Sequence, residues 1–464
     1  MLRHGLSPII RRSPLRLTVS PNRRYTVPPK HKRMSEADYD TWTKEELINR
    51  LVQLESHGSS KPSAKGKGRA QDESIDWANV PRRKIALKFC YGGWDYGGLA
   101  IQKDRTPLPT VEGKLFGALV RARLVDPKGG LEGCGWERCG RTDRGVSAAG
   151  QVISLWVRSA LSQEELTPAV TPTEEHPFTY MINRHLPDTI KILAWSPVDA
   201  SFSSRYSCTW RHYKYFFSPV GLDIHAMRAA CAYLPGTHDF RNLCKIDPTK
   251  QLDQFRRDIL HASISPVDAS NPGGMHVFDL KGSSFLYHMV RNIVGVLLSI
   301  GARLEPPTLL PALMNVAPGC RPEYMMADAL PLTLWDCGYP EGAVNWQPET
   351  RDPHSMVRVL PGPQLRAVVP LEHLATSEDA ARTTAAKEAT APALAAEDAT
   401  PSAPRNVFIP LGGGTHRKMM SAKYVPVLQR NRLEHFEVQN ARWREKARQK
   451  GLKIPDHAPE DAEE

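Results

Sequence analysis

The chain has 464 residues, 41% of them hydrophobic, with a formal net charge of +11, room for two domains or one large bilobal unit with tails. No apolar run approaches the roughly 18 residues that span a bilayer; the longest, Ile293 to Ile300, is broken by Gly295 and Ser299, so a membrane-spanning helix is excluded and no membrane partner is expected. The charge is clustered: nine Arg and Lys precede the first acid, Glu36, and twelve lie between 405 and 453 against Glu434, Glu437 and Glu445, a distribution that suits a polyanion.

Residues 1–33 are rich in Arg, Ser and Pro and lack acids. This is the composition of a mitochondrial transit peptide, with a basic tail or nuclear signal as the alternative. Thr43 and Glu46 form a capping box, and Leu47, Leu51 and Leu54 lay an apolar stripe along a short helix within 34–57. Residues 58–80 read as a polar linker. The folded body begins near Arg82, where Ile85, Leu87 and Phe89 alternate with Lys84, Ala86 and Lys88 as a strand. A glycine-aromatic loop, Tyr91 to Gly98, follows, and Thr110 caps a helix to about Leu124.

Further strands are expected at 151–157, 190–195, 211–217, 256–265, 275–281 and 332–337. Helices are expected near 178–185, 222–234 and 308–315, with a loop over 236–243 and the longest helix starting around Phe285. The Ala-, Thr-, Glu- and Pro-rich stretch 373–404 reads as a disordered insertion. A basic tail, 405–464, returns with a helical segment around Trp443. Eight cysteines show no repeated Cys-x-x-Cys pair; they read as reduced thiols of an intracellular protein, with no metal cluster.

The chemistry concentrates in Cys139-Gly140-Arg141-Thr142-Asp143-Arg144-Gly145-Val146-Ser147-Ala148-Ala149-Gly150-Gln151-Val152. One carboxylate stands among cations, and Arg141 and Arg144 are expected to keep Asp143 ionised. The glycines permit positive φ or a close backbone approach. A bare Arg-x-Asp-Arg is more often an ordinary ion-paired loop, but the whole run resembles the signature of the TruA-type pseudouridine synthases. Four other patches resemble the same family: Lys84 to Leu87, Tyr91 to Tyr96, Arg211-x-Tyr213-x-Tyr215, and Phe285 to Gly295. Together they cover the body over about 82–340.

The resemblance implies an α+β fold of two α/β lobes, 81–200 and 201–345, each with an antiparallel sheet, around a central basic RNA-binding cleft. It implies isomerisation of uridine to pseudouridine in tRNA, with Asp143 as nucleophile. The N-glycosidic bond breaks and the uracil turns before rejoining through carbon; attack at the base and assistance at the sugar both remain open. Arg291 is implied to pair with Asp143, with a structural ion pair to another acid as the alternative. Arg141 is implied to take the place of the flipped nucleotide, with a simple phosphate contact as the alternative. Tyr213 is implied to stack on the base or move a proton, with a core tyrosine as the alternative. Arg144 and Lys88 are expected to bind substrate, and Lys88, Arg121, Arg123 and the tail arginines could do so through phosphates. His288 reads as a satisfied core histidine, with an RNA contact as the alternative.

No cofactor is implied. The bacterial members are homodimers, which leaves monomer and homodimer both open here. Trp42 to Leu47, Tyr91 to Gln102 and Thr237 to Lys245 look most like the eukaryotic subgroup acting on the anticodon arm, at positions 38 and 39; the implied locations are nucleus and cytoplasm, and the mitochondrion if the leader targets it. Other tRNA or small nuclear RNA uridines, or a catalytically silent RNA binder on the same scaffold, are the competing readings. A glycoside hydrolase is disfavoured, because a second positioned carboxylate is missing from the motif.

Overall fold

The structure, a computed structural model, describes residues 75–102, 106–162, 175–316, 320–348, 406–413, 415–420 and 423–452. The leader, the helix expected within 34–57 and the insertion expected at 373–404 lie outside these residues. The first strand forms where the alternation predicts it. β1 (Arg82–Tyr91) carries Ile85, Leu87 and Phe89 with no exposed surface. The chain continues through β2 (Glu137–Arg138), β3 (Ser147–Arg158), β4 (Ile190–Pro197), β5 (Trp210–Phe217), β6 (Gly236–Asp239), β7 (Arg256–Pro266), β8 (His276–Gly282), β9 (Leu332–Gly338) and β10 (Gln347–Pro348).

These strands make one ten-stranded sheet in the order β10-β4-β1-β3-β9-β5-β8-β7-β6, with β2 on β3. The expected two sheets are therefore a single continuous one. The halves join through a short parallel pair, Ser147 with Thr333 and Ala148 with Leu334, while the other pairs in this sheet are antiparallel. That pairing also starts β3 at Ser147, four residues ahead of the expected Gln151. A parallel contact between segments so far apart in the chain leaves no local periodicity to read. Its consequence is functional: parallel strands put their entering loops side by side, so the loop before β3, which holds Asp143, lies beside the loop before β9.

The helices are α1 (Val111–Arg121), α2 (Gly130–Gly133), α3 (Phe178–Asn183), α4 (Ile224–Cys231), α5 (Met289–Gly301), α6 (Leu309–Met314) and α7 (Phe436–Gln449). Thr110 caps α1 as expected, its Oγ1 accepting from Gly113 N at 3.2 Å. Three expectations change. The segment 236–239 is a strand held on β7, and α5 begins at Met289 rather than Phe285. At 13 residues α5 is also one shorter than α7.

Every residue of α5 except Arg291 is buried, so this helix is core on all sides. Gly295 lets it approach the chain before β9, where a Cβ would clash with Met325 O. Leu297 has no exposed surface. Leu297→Ala is expected to cost about 2–5 kcal/mol, the range of a buried leucine truncation, in a denaturant unfolding curve; a loss within experimental error means that α5 is not core.

The basic block beyond residue 405 is folded onto the body. β11 (Asn406–Gly412) and β12 (Thr415–Met420) form a hairpin, and Leu411 O accepts from Asp328 N at 2.7 Å. Glu305 receives Tyr424 Oη at 2.6 Å and Val427 N at 2.7 Å. Phe436 at the start of α7 packs edge-on against Phe255, with centroids 4.9 Å apart. Arg442, Lys446 and Arg448 on α7 and Lys450 just after it remain exposed. All eight cysteines are free thiols.

Candidate active site

The motif loop is held at almost every residue. Cys139 N donates to Val152 O at 2.8 Å, and Gln151 Nε2 to Gly140 O at 3.0 Å. Thr142 Oγ1 shares a 2.6 Å hydrogen bond with the buried Tyr91 hydroxyl, and Val146 N donates to Asp143 O at 3.1 Å. Gly145 adopts φ +86°, a left-handed turn that favours glycine and brings the chain round into β3. From the other half of the sheet comes Arg211, 4% exposed. Its guanidinium donates to Cys139 O (2.9 Å), Arg205 O (3.2 Å) and Ser283 O (2.9 Å), clamping the loop to two other segments.

On this platform Asp143 faces α5. Arg291 Nη1 donates to Asp143 Oδ2 at 2.9 Å while its Nε donates to Ala327 O at 2.9 Å. His288 Nε2 stands 3.1 Å from the same Oδ2. Burial pushes the Asp143 carboxyl upward, but hydrogen bonding and charge from His288 and Arg291 outweigh it and hold the group below the usual carboxylate range. The expectation that Asp143 stays ionised thus finds a physical cause in α5. Arg291 is the partner that the resemblance implied, whereas Arg141 and Arg144, expected from the motif to act on the carboxylate, are exposed and lie on the cavity wall. Sequence spacing favours neighbours in the chain, whereas the nearest charges come from 145 or more residues away.

Asp143 opens into a cavity of about 710 Å³ whose wall includes Arg141, Arg144, Lys245, Lys250, Tyr287 and Arg291. That volume lies within the range of small-ligand sites, and five cations face it against Asp143 and Asp247. Its rim at Gly97–Gln102 is tied down by the buried Glu112, which accepts from Ile101 N at 2.9 Å. Its opposite edge is steadied by α7, since Arg444 Nη1 donates to Gln251 Oε1 at 2.8 Å beside Lys250.

Of the six residues singled out in the sequence, Asp143, Arg141, Arg144 and Arg291 meet at this cavity. Tyr213 reaches the site from β5, bordering a small space shared with Arg141, Asp143, His288 and Arg291. It is 3% exposed and its ring stands edge-on to Phe285 at 5.0 Å, so it sits behind the carboxylate rather than on the open wall. Lys88 is not on the cavity wall. Its ammonium lies 2.7 Å from Asp336 on the sheet. Lys245 and Lys250 on the wall escaped the sequence reading, and His288, read there as a core histidine, instead borders the cavity with Nε2 on Asp143. The signal for His288 was its place three residues before Arg291 at a helix entry.

Asp143 thus meets Arg291 and His288 beside a cavity whose wall carries five cations, and comparison with known proteins defines the class of the chain. The chain belongs to the tRNA pseudouridine synthase family, whose family model matches residues 230–340. It is 36% identical over 436 residues to the tRNA pseudouridine(38/39) synthase of Saccharomyces cerevisiae, covering 89% of this chain and 93% of the yeast protein. It is 37% identical over 338 residues to the protein of the same name from Homo sapiens (66% and 68% covered). To the tRNA pseudouridine synthase A of Methanothrix thermoacetophila it is 33% identical over 282 residues (60% and 90% covered).

Proposed function

We propose that this protein isomerises uridine to pseudouridine in the anticodon arm of tRNA, with Asp143 as the nucleophile. The observation that carries the nucleophile is a carboxylate kept ionised by Arg291 and His288 at the floor of a cation-lined cavity. Its place in the reaction is to supply an electron pair to the nucleoside. The N1–C1′ bond breaks, the uracil turns, the C5–C1′ bond forms, and the proton lost from C5 is balanced by one gained at N1. Reactant and product are isomers, so atoms and electrons balance.

The remaining residues divide by reach. Arg141, Arg144, Lys245 and Lys250 suit phosphates of a splayed RNA strand, where each contact adds affinity and salt dependence. A base inside a stem must leave its stack before the glycosidic bond is reached, and exposed Arg141 stands next to the carboxylate to take its place. Tyr213, buried and bordering the small space it shares with Asp143, suits proton transfer beside the carboxylate better than an open stacking platform.

The anticodon-arm target follows the relatives' names, tRNA pseudouridine(38/39) synthase. Mapping pseudouridine by chemical adduct and primer stops, in cells lacking the protein and in cells carrying Asp143→Asn, is expected to show loss at positions 38 and 39 in both. Loss at other uridines keeps the chemistry and moves the substrate. Unchanged maps in both overturn the reading.

A further inference from the structure

His288 sits where the chain leaves Phe285-Leu286-Tyr287 and enters α5. Its φ is +61°, in the left-handed region that residues carrying a Cβ rarely adopt. Its side chain makes no capping hydrogen bond to the helix. Instead Nε2 is 3.1 Å from Asp143 Oδ2, the same oxygen that Arg291 Nη1 holds at 2.9 Å. From the other side the imidazole meets Tyr287, with ring centroids 3.9 Å apart, and Lys245 stands over Tyr287 at 5.3 Å from its ring centroid. Lys245, Tyr287, His288 and Asp143 all border the cavity, so a packed row of side chains runs along its wall to the carboxylate.

We propose that His288 is a positioning residue for the nucleophile: with Arg291 it pins Asp143 Oδ2 from two directions, so that Oδ1 is the oxygen presented to the nucleoside. This rests on reading Asp143 as the nucleophile. A carboxylate held by one donor still turns about Cβ–Cγ, a torsion with broad minima; two donors on one oxygen fix its plane. Misplacing a reacting atom by about 1 Å costs on the order of a hundredfold in rate, so the second donor matters even where the first already secures ionisation. Imidazole suits the task because its Nε2–H donates in either the protonated form or one neutral tautomer.

The test compares the full-length wild type with His288→Asn, His288→Gln and Asp143→Asn. It reads single-turnover pseudouridine formation, equilibrium binding of an unmodified tRNA transcript, and thermal unfolding. Asparagine accepts a left-handed backbone but its amide falls short of the position of Nε2, whereas glutamine carries a donor out to it. His288→Asn is expected to unfold near the wild-type temperature, to bind tRNA as tightly, and to lose about 10- to 100-fold in rate, the range of a lost hydrogen bond to a charged group. His288→Gln is expected to recover most of that loss.

Full rate in His288→Asn overturns the proposal. So does a rate loss matched by lost tRNA affinity, which makes His288 an RNA contact, or equal slowing in both variants with early unfolding, which makes it a purely structural turn. Turnover in Asp143→Asn defeats the nucleophile reading itself. Inert Asp143→Asn beside a fully active His288→Asn defeats the positioning role alone.

Discussion

Asp143→Asn is expected to abolish pseudouridine formation, by at least about a thousandfold in single turnover, while tRNA binding persists. Asparagine keeps the shape of the side chain, and its amide oxygen can still accept from Arg291 and His288. What disappears is the charge and the nucleophilic lone pair. The cavity's phosphate-directed cations, Arg141, Arg144, Lys245 and Lys250, are untouched, and removing a negative charge among them holds or raises affinity for a polyanion. Single-turnover rate and dissociation constant, measured on one preparation, separate the two effects; retained turnover removes Asp143 from the reaction. The stability effect has a defined sign. A carboxyl held below its ordinary value stabilises the fold fully above the unfolded carboxylate's pKa, near 3.9, and loses that contribution as pH falls through the folded value. The difference in stability between wild type and Asp143→Asn is therefore expected at neutral pH and vanishes in strong acid.

Arg291→Ala is expected to damage both rate and stability. The arginine performs two tasks with one planar group: Nε holds Ala327 O in the chain before β9, and Nη1 holds Asp143 in the loop before β3. Removing it cuts the tie across the seam of the sheet and leaves a mostly buried carboxylate with His288, just before α5, as its remaining basic neighbour there. Breaking one side of a buried pair costs about 3–5 kcal/mol, and the low end suits side chains that are 14% and 19% exposed. With Arg291 gone, burial lifts the Asp143 carboxyl, so the acid limb of the rate profile is expected to move to higher pH and some activity to return as pH rises. Arg291→Lys keeps the charge but lacks the fork that reaches both acceptors at once, so it is expected to restore the pH profile better than the stability. Unchanged unfolding and an unchanged pH profile in Arg291→Ala mean that the pair contributes nothing in solution.

Much of the fold was legible locally. The alternation of Ile85, Leu87 and Phe89 placed β1, the Thr110 cap placed α1, and the aromatic run Tyr213 to Phe217 placed β5, because each rests on interactions within a few residues. Boundaries failed where a distant partner sets them. β3 begins early because Ser147 and Ala148 pair with β9, and 236–239 becomes a strand because β7 offers it an edge. α5 starts late because the chain turns left-handed at His288. The basic block after residue 405 carried a charge pattern that reads as a tail, while its few anchors, such as Val427 and Phe436, show their weight only against Glu305 and Phe255.

The candidate site divides along the same line. By itself the sequence determined the functional groups present: one aspartate in a glycine-bracketed loop, an arginine on an apolar helix, and a tyrosine in an aromatic strand. Only the tertiary structure decided which of them meet. It set His288 on the Asp143 carboxylate beside the Arg291 that the resemblance had implied, left the adjacent Arg141 and Arg144 exposed, tied Lys88 to Asp336 away from the cavity, and brought Lys245 and Lys250 to its wall. The physical reason is that short-range chain geometry fixes what lies beside a residue in sequence. Its electrostatic environment is set instead by groups folded to within about 3 Å, and here the parallel seam of one sheet brings those groups together.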